Sequence, residues 1–342
     1  MTTNERNEKV TIKDVAQRAG VSISTVSRVF NGLDKVSETT REKVLQAMDE
    51  LHYSPSTIAT SMITGETKMI LIVIPDFYNS FYSTIVQGAE ELLSKNGYYA
   101  MVLSTNGTHI EFAQIRNKFD KMIDGIIVIP SDQNIRYYKE WGKPCVIVDR
   151  YQQGSGMNAV ICDDRLGAYQ LTEELLKANH RRIAFLSGPS YLSTVSERLA
   201  GFRCACEAYS VSVDESLIIG NEFSDECGYL GTKELLTRDD PPTAIVASNN
   251  LLCYGCINAL QEMNLSIGRD ISLVAYDEHA LARYLVPGIT VISQPAKKMG
   301  ERATARLLDI IAKQEGPDYE EIVLGVTLIR RGSVKRLPPL GK

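Results

Sequence analysis

The sequence predicts two architectures in one chain: an all-α helix-turn-helix headpiece, then an α/β body built from two doubly wound lobes with parallel sheets. Three observations carry this. Residues 11–32, TIKDVAQRAGVSISTVSRVFNG, spell two short capped helices about a glycine turn. From Met69 onward, short apolar runs alternate with amphipathic stretches at helical spacing. That alternation happens twice, once before Asp164 and once after it.

The first helix starts near Ile12, capped by Thr11 with Asp14, a short acid that suits the exposed N–H groups and positive end of a helix. Ile12, Val15, Ala16 and Ala19 share one face, and Gly20 provides a residue that turns with positive φ. Ser22 caps the second helix, which turns Val26, Val29 and Phe30 inward and leaves Ile23, Ser24, Thr25, Ser27 and Arg28 outside. A small residue at the crossing (Ala16), a flexible turn (Gly20) and a branched anchor (Val26) stand where a helix-turn-helix needs them. The second helix would then read a DNA groove. A third helix, capped at Ser37, offers Val44, Leu45, Met48 and Leu51 as an inner stripe that closes the core. After Tyr53, Pro55 starts a further helical pattern with Ile58, Ala59 and Met62, ended by Gly65. So short an apolar face does not fold alone, and composition reads it as a linker.

In the body, ILIVI (70–74), YAMVL (99–103), GIIVI (125–129) and CVIVD (145–149) read as buried parallel strands, with helices near 81–95, 111–122 and 133–141 between them. The second series runs from a helix ending at Ala178 through RIAFLSG, a helix from Ser196, LIIG, a helix through Leu236, AIVAS, a helix to Met263, and SLVAYD. A last helix over 295–313 and the strand-like IVLGVTLI are too few for a third domain.

Several motifs fail their context. Gly154, Gly156 and Ala159 spell the dinucleotide pattern G-x-G-x-x-A, but they lead into the strand-like AVIC and not into a helix that would hold a pyrophosphate. Cys253 with Cys256 and Cys204 with Cys206 lack ribbon or finger spacing and read as core thiols. His52, His109, His180 and His279 are scattered and read as surface or loop residues, so neither a metal nor a catalytic triad is expected. What recurs is polar residues at the carboxyl ends of strands, where open α/β sheets bind ligands. Asp76 and Asn79 follow the first strand, with Phe81 and Tyr82 beside them; Asp149 and Arg150 end the fourth. In the second lobe Asn249 and Asn250 follow AIVAS, Asp277 ends SLVAY, and Arg198 and Phe223 lie just past other strands. Carboxylates, amides, guanidiniums and flat rings together suit a polyhydroxylated small-molecule effector.

The segments DVAQRAGVSISTVSRVFNG and VSETTREKVLQAMDELHYSPS make the sequence similar to the headpiece of the lactose repressor/galactose repressor (LacI/GalR) family of bacterial transcription regulators. The similarity continues, more loosely, through nearly the whole chain. It implies a DNA-binding set of Thr11, Ser22, Ile23, Ser24, Thr25, Ser27, Arg28, Asn31, Tyr53, Ser56, Ala59 and Met62, with Ile23, Ser24 and Arg28 at base edges in the major groove. It also implies that residues 55–66 form a hinge helix ordered on DNA, with Met62 as a minor-groove wedge. The body is then a periplasmic-binding-protein-like clamshell. The headpiece spans 9–54, one lobe 67–163 with 293–323, and the other 164–292 with 324–337. The carry-over to the cleft covers Asp149, Arg198, Asn249 and Asp277; a departure is Asn250, where the family commonly has an acid.

Charge is consistent with this organisation without announcing it. The chain of 342 residues has a net charge of -5, and residues 1–65 hold four Lys and four Arg against eight acidic residues, so DNA affinity needs cations concentrated on one face or two headpieces acting together. No apolar run approaches the roughly 20 residues of a membrane span, and the charged N-terminus lacks a signal-peptide core, so a cytoplasmic protein with no membrane partner is expected. Seven scattered cysteines argue for free thiols. The expectation is a homodimeric, ligand-responsive regulator, a repressor of a carbohydrate-related operon, bound to double-stranded DNA at a pseudo-palindromic operator, with no cofactor. A sugar-binding receptor without DNA function is the rival.

Overall fold

The computed structural model describes residues 10–30, 36–53, 66–105, 112–131, 135–151, 154–313 and 319–339. The chain divides into two compact units, residues 1–67 and 68–342. In the first, α1 (Ile12–Ala19), α2 (Ile23–Phe30) and α3 (Glu38–Glu50) enclose Val15, Ala16, Val26, Val29, Val44 and Ala47. The Asp14 carboxylate accepts from both the amide and the hydroxyl of Thr11 at 2.7 Å, which fixes the start of α1. Gly20 ends it at φ 67°, and the next amide, that of Val21, returns to the Ala16 carbonyl at 3.0 Å. The Ser22 hydroxyl accepts from the Thr25 amide at 3.2 Å, as a cap of α2 should. Ser37 precedes α3, but its hydroxyl meets those of Thr39 and Thr40 and not a backbone amide. One expectation for α3 fails: Leu45 is 52% exposed and Ala47 takes its place inside. Val44, Ala47, Met48 and Leu51 follow the 3.6-residue period, whereas Leu45 sits about 100° round the helix from Val44.

The body holds two six-stranded sheets. The first contains β1 (Met69–Ile74), β2 (Tyr99–Ser104), β3 (Gly125–Val128), β4 (Cys145–Val148), β5 (Asn158–Cys162) and β11 (Glu321–Leu324), in the order β2-β1-β3-β4-β5-β11, all parallel. Its helices are α4 (Ser80–Lys95), α5 (Phe112–Phe119), α6 (Arg136–Glu140) and α12 (Ala296–Lys313). The second contains β6 (Ile183–Leu186), β7 (Ile218–Ile219), β8 (Ala244–Ala247), β9 (Ser272–Tyr276), β10 (Thr290–Ser293) and β12 (Thr327–Ile329), in the order β7-β6-β8-β9-β10-β12. Its helices are α7 (Asp164–Lys177), α8 (Ser193–Ala208), α9 (Asp225–Leu236), α10 (Asn250–Glu262) and α11 (Ala280–Tyr284).

The apolar runs are legible because both faces of each sheet are covered. Along β1, Ile70, Ile72 and Ile74 enter one apolar cluster and Leu71 and Val73 the other, all of them fully buried. Each such side chain removed from water contributes about 1.5–3 kcal/mol. The segment read as one strand, IVLGVTLI, is two: β11 ends in the first sheet, Gly325 and Val326 intervene, and β12 joins the second antiparallel to β10. The second sheet is thus doubly wound and parallel, as expected, except for this one antiparallel edge strand. The helix expected from Ser196 begins at Ser193.

Two of the four histidines, His180 and His279, lie in loops as expected but are buried. His180 is fully buried, meeting the Thr243 hydroxyl at 2.8 Å, the Ser272 hydroxyl at 2.9 Å and the Lys335 carbonyl at 3.0 Å; His279 packs edge-on against Tyr254. All seven cysteines are free, with Cys206, Cys253 and Cys256 buried as expected and Cys204 exposed against expectation. Gly154 and Gly156 turn with positive φ into β5, a loop as their context implied. No described helix is long and apolar enough to cross a membrane.

Nothing lies within 4 Å of a Cβ built on Gly20, so Gly20→Ala tests its backbone conformation alone. The substitution should destabilise the headpiece by about 1 kcal/mol, read as a lower headpiece midpoint in urea denaturation of the full chain; an unchanged midpoint would show that the turn needs no left-handed residue.

Candidate functional site

Two sets of functional candidates fall in the two units. On the headpiece, Ile23, Ser24 and Arg28 project from the exposed face of α2, with Ile23 45% exposed despite being apolar. Thr11 and Ser22 are also exposed, each held by its capping bonds. Thr25 and Ser27 are half-buried. Tyr53 packs against the three-helix core. Arg18 is committed to Glu50, its Nε 2.7 Å from the carboxylate. Asn31, Ser56, Ala59 and Met62 lie outside the described residues.

In the body, the strand ends converge on a closed, polar cleft. Asp149 follows β4 and Asp277 follows β9, at φ 70° and 73°. Left-handed backbone is uncommon outside glycine, and aspartate tolerates it better than most residues. Both carboxylates are buried. Arg198 reaches in from α8, 3% exposed, with Nε donating to Asp164 Oδ1 and Nη1 to the Ser248 carbonyl, both at 2.7 Å. Its guanidinium lies 3.8 Å from the centroid of the Tyr276 ring. Gly167 makes room for that ring: a Cβ there would sit 2.1 Å from the tyrosine oxygen. Arg150 donates to the Pro130 carbonyl at 2.8 Å and to the Tyr82 hydroxyl at 2.6 Å.

The lobes meet directly. Asn79, at the start of α4, accepts from the Asn250 side chain at 2.8 Å, and both residues are buried; the Tyr151 amide donates to the Ser193 hydroxyl at 3.0 Å. The other candidates are more local. Asp76 accepts from the Tyr78 and Asn79 amides, and Asn249 caps α10 by accepting from the Leu252 amide. Phe81 is buried with its ring edge-on to Tyr82. Phe223 is half-buried over Gly188 and packs on the second lobe's apolar cluster.

The reading of the sequence missed Asp164, Ser248, Tyr276 and Gln294. Asp164 obeys the same strand-end rule that found the others, since it opens α7 just past β5, where the positive helix end also favours a carboxylate. Gln294 donates to Asp277 at 2.6 Å. Burial drives the electrostatics. It pushes Asp164 up to about 6, against the pull of Arg198, and it raises Asp149 and Asp277 in the same direction. Burial also opposes the charge on Arg198, but the surrounding Asp164, Asp277 and Asp149 more than offset it.

Comparison with known proteins gives matches over both units. Residues 11–56 match the model for bacterial regulatory proteins of the lacI family, and residues 172–334 match a periplasmic binding protein-like domain. The chain is similar to the ribose operon repressor of Haemophilus influenzae, 32% identical over 96% of this chain and 99% of that one. It is 34% identical to the HTH-type transcriptional repressor PurR of Escherichia coli, over 95% of this chain and 96% of the relative. Among solved structures, the lac repressor dimer bound to operator and the anti-inducer ONPF superposes with a TM-score of 0.84 at 26% identity, covering 96% of this chain and 100% of that one.

Asp164 gives the body a defined pH response. Its carboxyl lies at about 6 in the fold against an ordinary 3.8, so the folded state holds a proton that the unfolded chain releases. That stability is fully present below about pH 3.8 and is lost as pH rises through about 6. The melting temperature of the wild type minus that of Asp164→Asn should therefore fall as pH rises across this window; a constant difference would place the Asp164 titration elsewhere.

Proposed function

We propose how this chain works from one premise: it belongs to the lacI family of bacterial regulatory proteins. It is a sequence-specific DNA-binding regulator of transcription that answers to a small ligand. In our reading it represses a carbohydrate-related operon in the cytoplasm as a homodimer, and it does so by binding alone, without catalysis. The observation that carries the reading is the pairing, in one chain, of a helix-turn-helix with an exposed α2 face and a closed polar cleft between two lobes. The repressor relatives, one of them named for ribose, support the sign and the effector class.

Two headpieces related by two-fold symmetry would read two half-sites of a pseudo-palindromic operator. Ile23, Ser24 and Arg28 reach base edges in the major groove, Ile23 through apolar contact with a thymine methyl and Arg28 through its forked donors on guanine. Thr11, Ser22, Thr25, Ser27, Asn31 and Tyr53 hold the headpiece on the duplex. Residues 55–66 order when two copies bury their apolar sides against each other over the operator, with Ser56 and Ala59 near the minor groove and Met62 inserted as a wedge. In the body, Asp149, Arg198 and Asp277 hold the effector, bounded by Asp76, Asn79, Phe81, Tyr82, Arg150, Phe223 and Asn249. Closure of the lobes changes the spacing of the segments leaving toward the headpieces and so biases hinge formation.

A gel shift against random genomic fragments tests the class: the full-length protein should retain a discrete subset at physiological salt, and a solute receptor retains none. On a retained fragment, Arg28→Ala should lose about 1–3 kcal/mol at one base pair of each half-site and relax discrimination there. Unchanged affinity and base preference would remove Arg28 from the reading set.

A further inference from the structure

Donors and acceptors in the closed cleft are unequally spent. Both guanidiniums are committed to the protein, Arg198 to Asp164 and the Ser248 carbonyl, Arg150 to the Pro130 carbonyl and the Tyr82 hydroxyl. Among the described residues, the buried groups without a hydrogen-bond partner include acceptors that a ligand could satisfy. Asp149 Oδ1 and Gln294 Oε1 are buried and unpaired, as is the Ser248 hydroxyl, which can act either way. Two buried donors are also unspent: Arg150 Nε, which stands 3.7 Å from the other oxygen of Asp149, and His279 Nε2, which carries the ring proton because Nδ1 accepts from the Ala282 amide. Leaving such acceptors dry costs free energy that a donating ligand would recover.

The charges agree with the hydrogen bonds. Asp149, Asp164 and Asp277 are three buried carboxyls against two buried guanidiniums, so even with burial raising all three acids the cleft has no cation to spare for an anion. The other titratable side chains nearby do not correct it: burial holds His279 down at about 4, hence neutral at pH 7, and raises the phenols of Tyr82 and Tyr276. Asp76, half-buried beside Tyr82, is a further acid at the cleft.

We propose that this cleft takes an uncharged ligand rich in hydroxyl or N–H donors, and that Asp164 is the residue that excludes anions such as phosphate esters. The inference rests on the reading of the cleft as the effector site. Asp164 acts in two ways. It occupies the Nε edge of Arg198, the edge an anionic ligand would need for a forked contact, and it adds a third carboxylate to the space a phosphate dianion would enter. Like charges brought together in a site this buried oppose binding by orders of magnitude in affinity. A neutral polyol meets no such barrier and can donate to Asp149 Oδ1 and Gln294 Oε1.

The test uses full-length protein and two matched pools: pentoses, hexoses, disaccharides and nucleosides in one, the phosphate esters of the same compounds in the other. Binding is read as a rise in melting temperature and, separately, as a change in retention of an operator fragment. A neutral compound should bind about a hundredfold or more tighter than its own ester, and Asp164→Asn should narrow that ratio to about tenfold or less by admitting the ester. If that variant does not fold, Asp149→Asn serves instead, and should weaken the neutral compound by about tenfold because an unpaired acceptor is replaced. An ester that binds the wild type as tightly as its parent overturns the assignment, and so does a protein whose melting temperature neither pool raises. A neutral compound that stabilises the protein but leaves operator retention unchanged upholds the assignment and overturns the regulatory reading.

Discussion

The body is arranged around a buried guanidinium. Arg198 is stripped of water and lies against the Asp164 carboxylate, a carbonyl and an aromatic face, with Asp149 and Asp277 near enough to favour its charge. Taking such a charge into a low-dielectric site costs several kcal/mol per ion, and removing one partner of a buried pair typically costs about 3–5 kcal/mol because the other is stranded. Every group that meets Arg198 is therefore held in place from both sequence and fold. Strand ends deliver Asp277 and Ser248, the first turn of α7 delivers Asp164, and Gly167 opens the space that lets Tyr276 reach across. An apolar cleft would close on itself without needing a ligand. This one closes over acceptors that lack donors, so a ligand that supplies them favours the closed arrangement over the open one.

The two lobes solve one problem twice. Asp149 and Asp277 both sit at the carboxyl end of a central strand, both in left-handed backbone, where the chain turns from the sheet toward the cleft. Asn79 and Asn249 both accept an amide at a helix start. The asymmetry lies in Arg198 and Asp164, which come from the second lobe alone, and in Asn250, whose amide bridges to Asn79. An acid at position 250 could not donate to the Asn79 oxygen, so the amide found here suits a direct lobe-to-lobe hydrogen bond.

Much of this was legible in the sequence, for identifiable reasons. Strands buried on both faces leave no polar position, so ILIVI and AIVAS announce themselves, and the capping groups Asp14 and Ser22 bond within three residues of their own place in the chain. What escaped depends on partners far away. Asp164 joins the cleft because Arg198, 34 positions on, folds back to it; His180 is buried because Thr243, Ser272 and Lys335 converge on it from three other segments. IVLGVTLI hides a change of sheet that no local pattern marks. Leu45 was misplaced for the opposite reason, since the correct helical period was there to read and Ala47, being small, drew less notice than a leucine.

Regulation in this account is a coupling free energy between the cleft and the DNA-binding face, and such coupling is reciprocal. The direct test measures four affinities with full-length protein: operator with and without a saturating cleft ligand, and that ligand with and without saturating operator. The ligand should change operator affinity by the same factor as the operator changes ligand affinity, at least about fivefold in either direction. A factor of one in both measurements, with each partner still binding tightly, would show that the cleft and the headpiece act independently and would contradict this coupling.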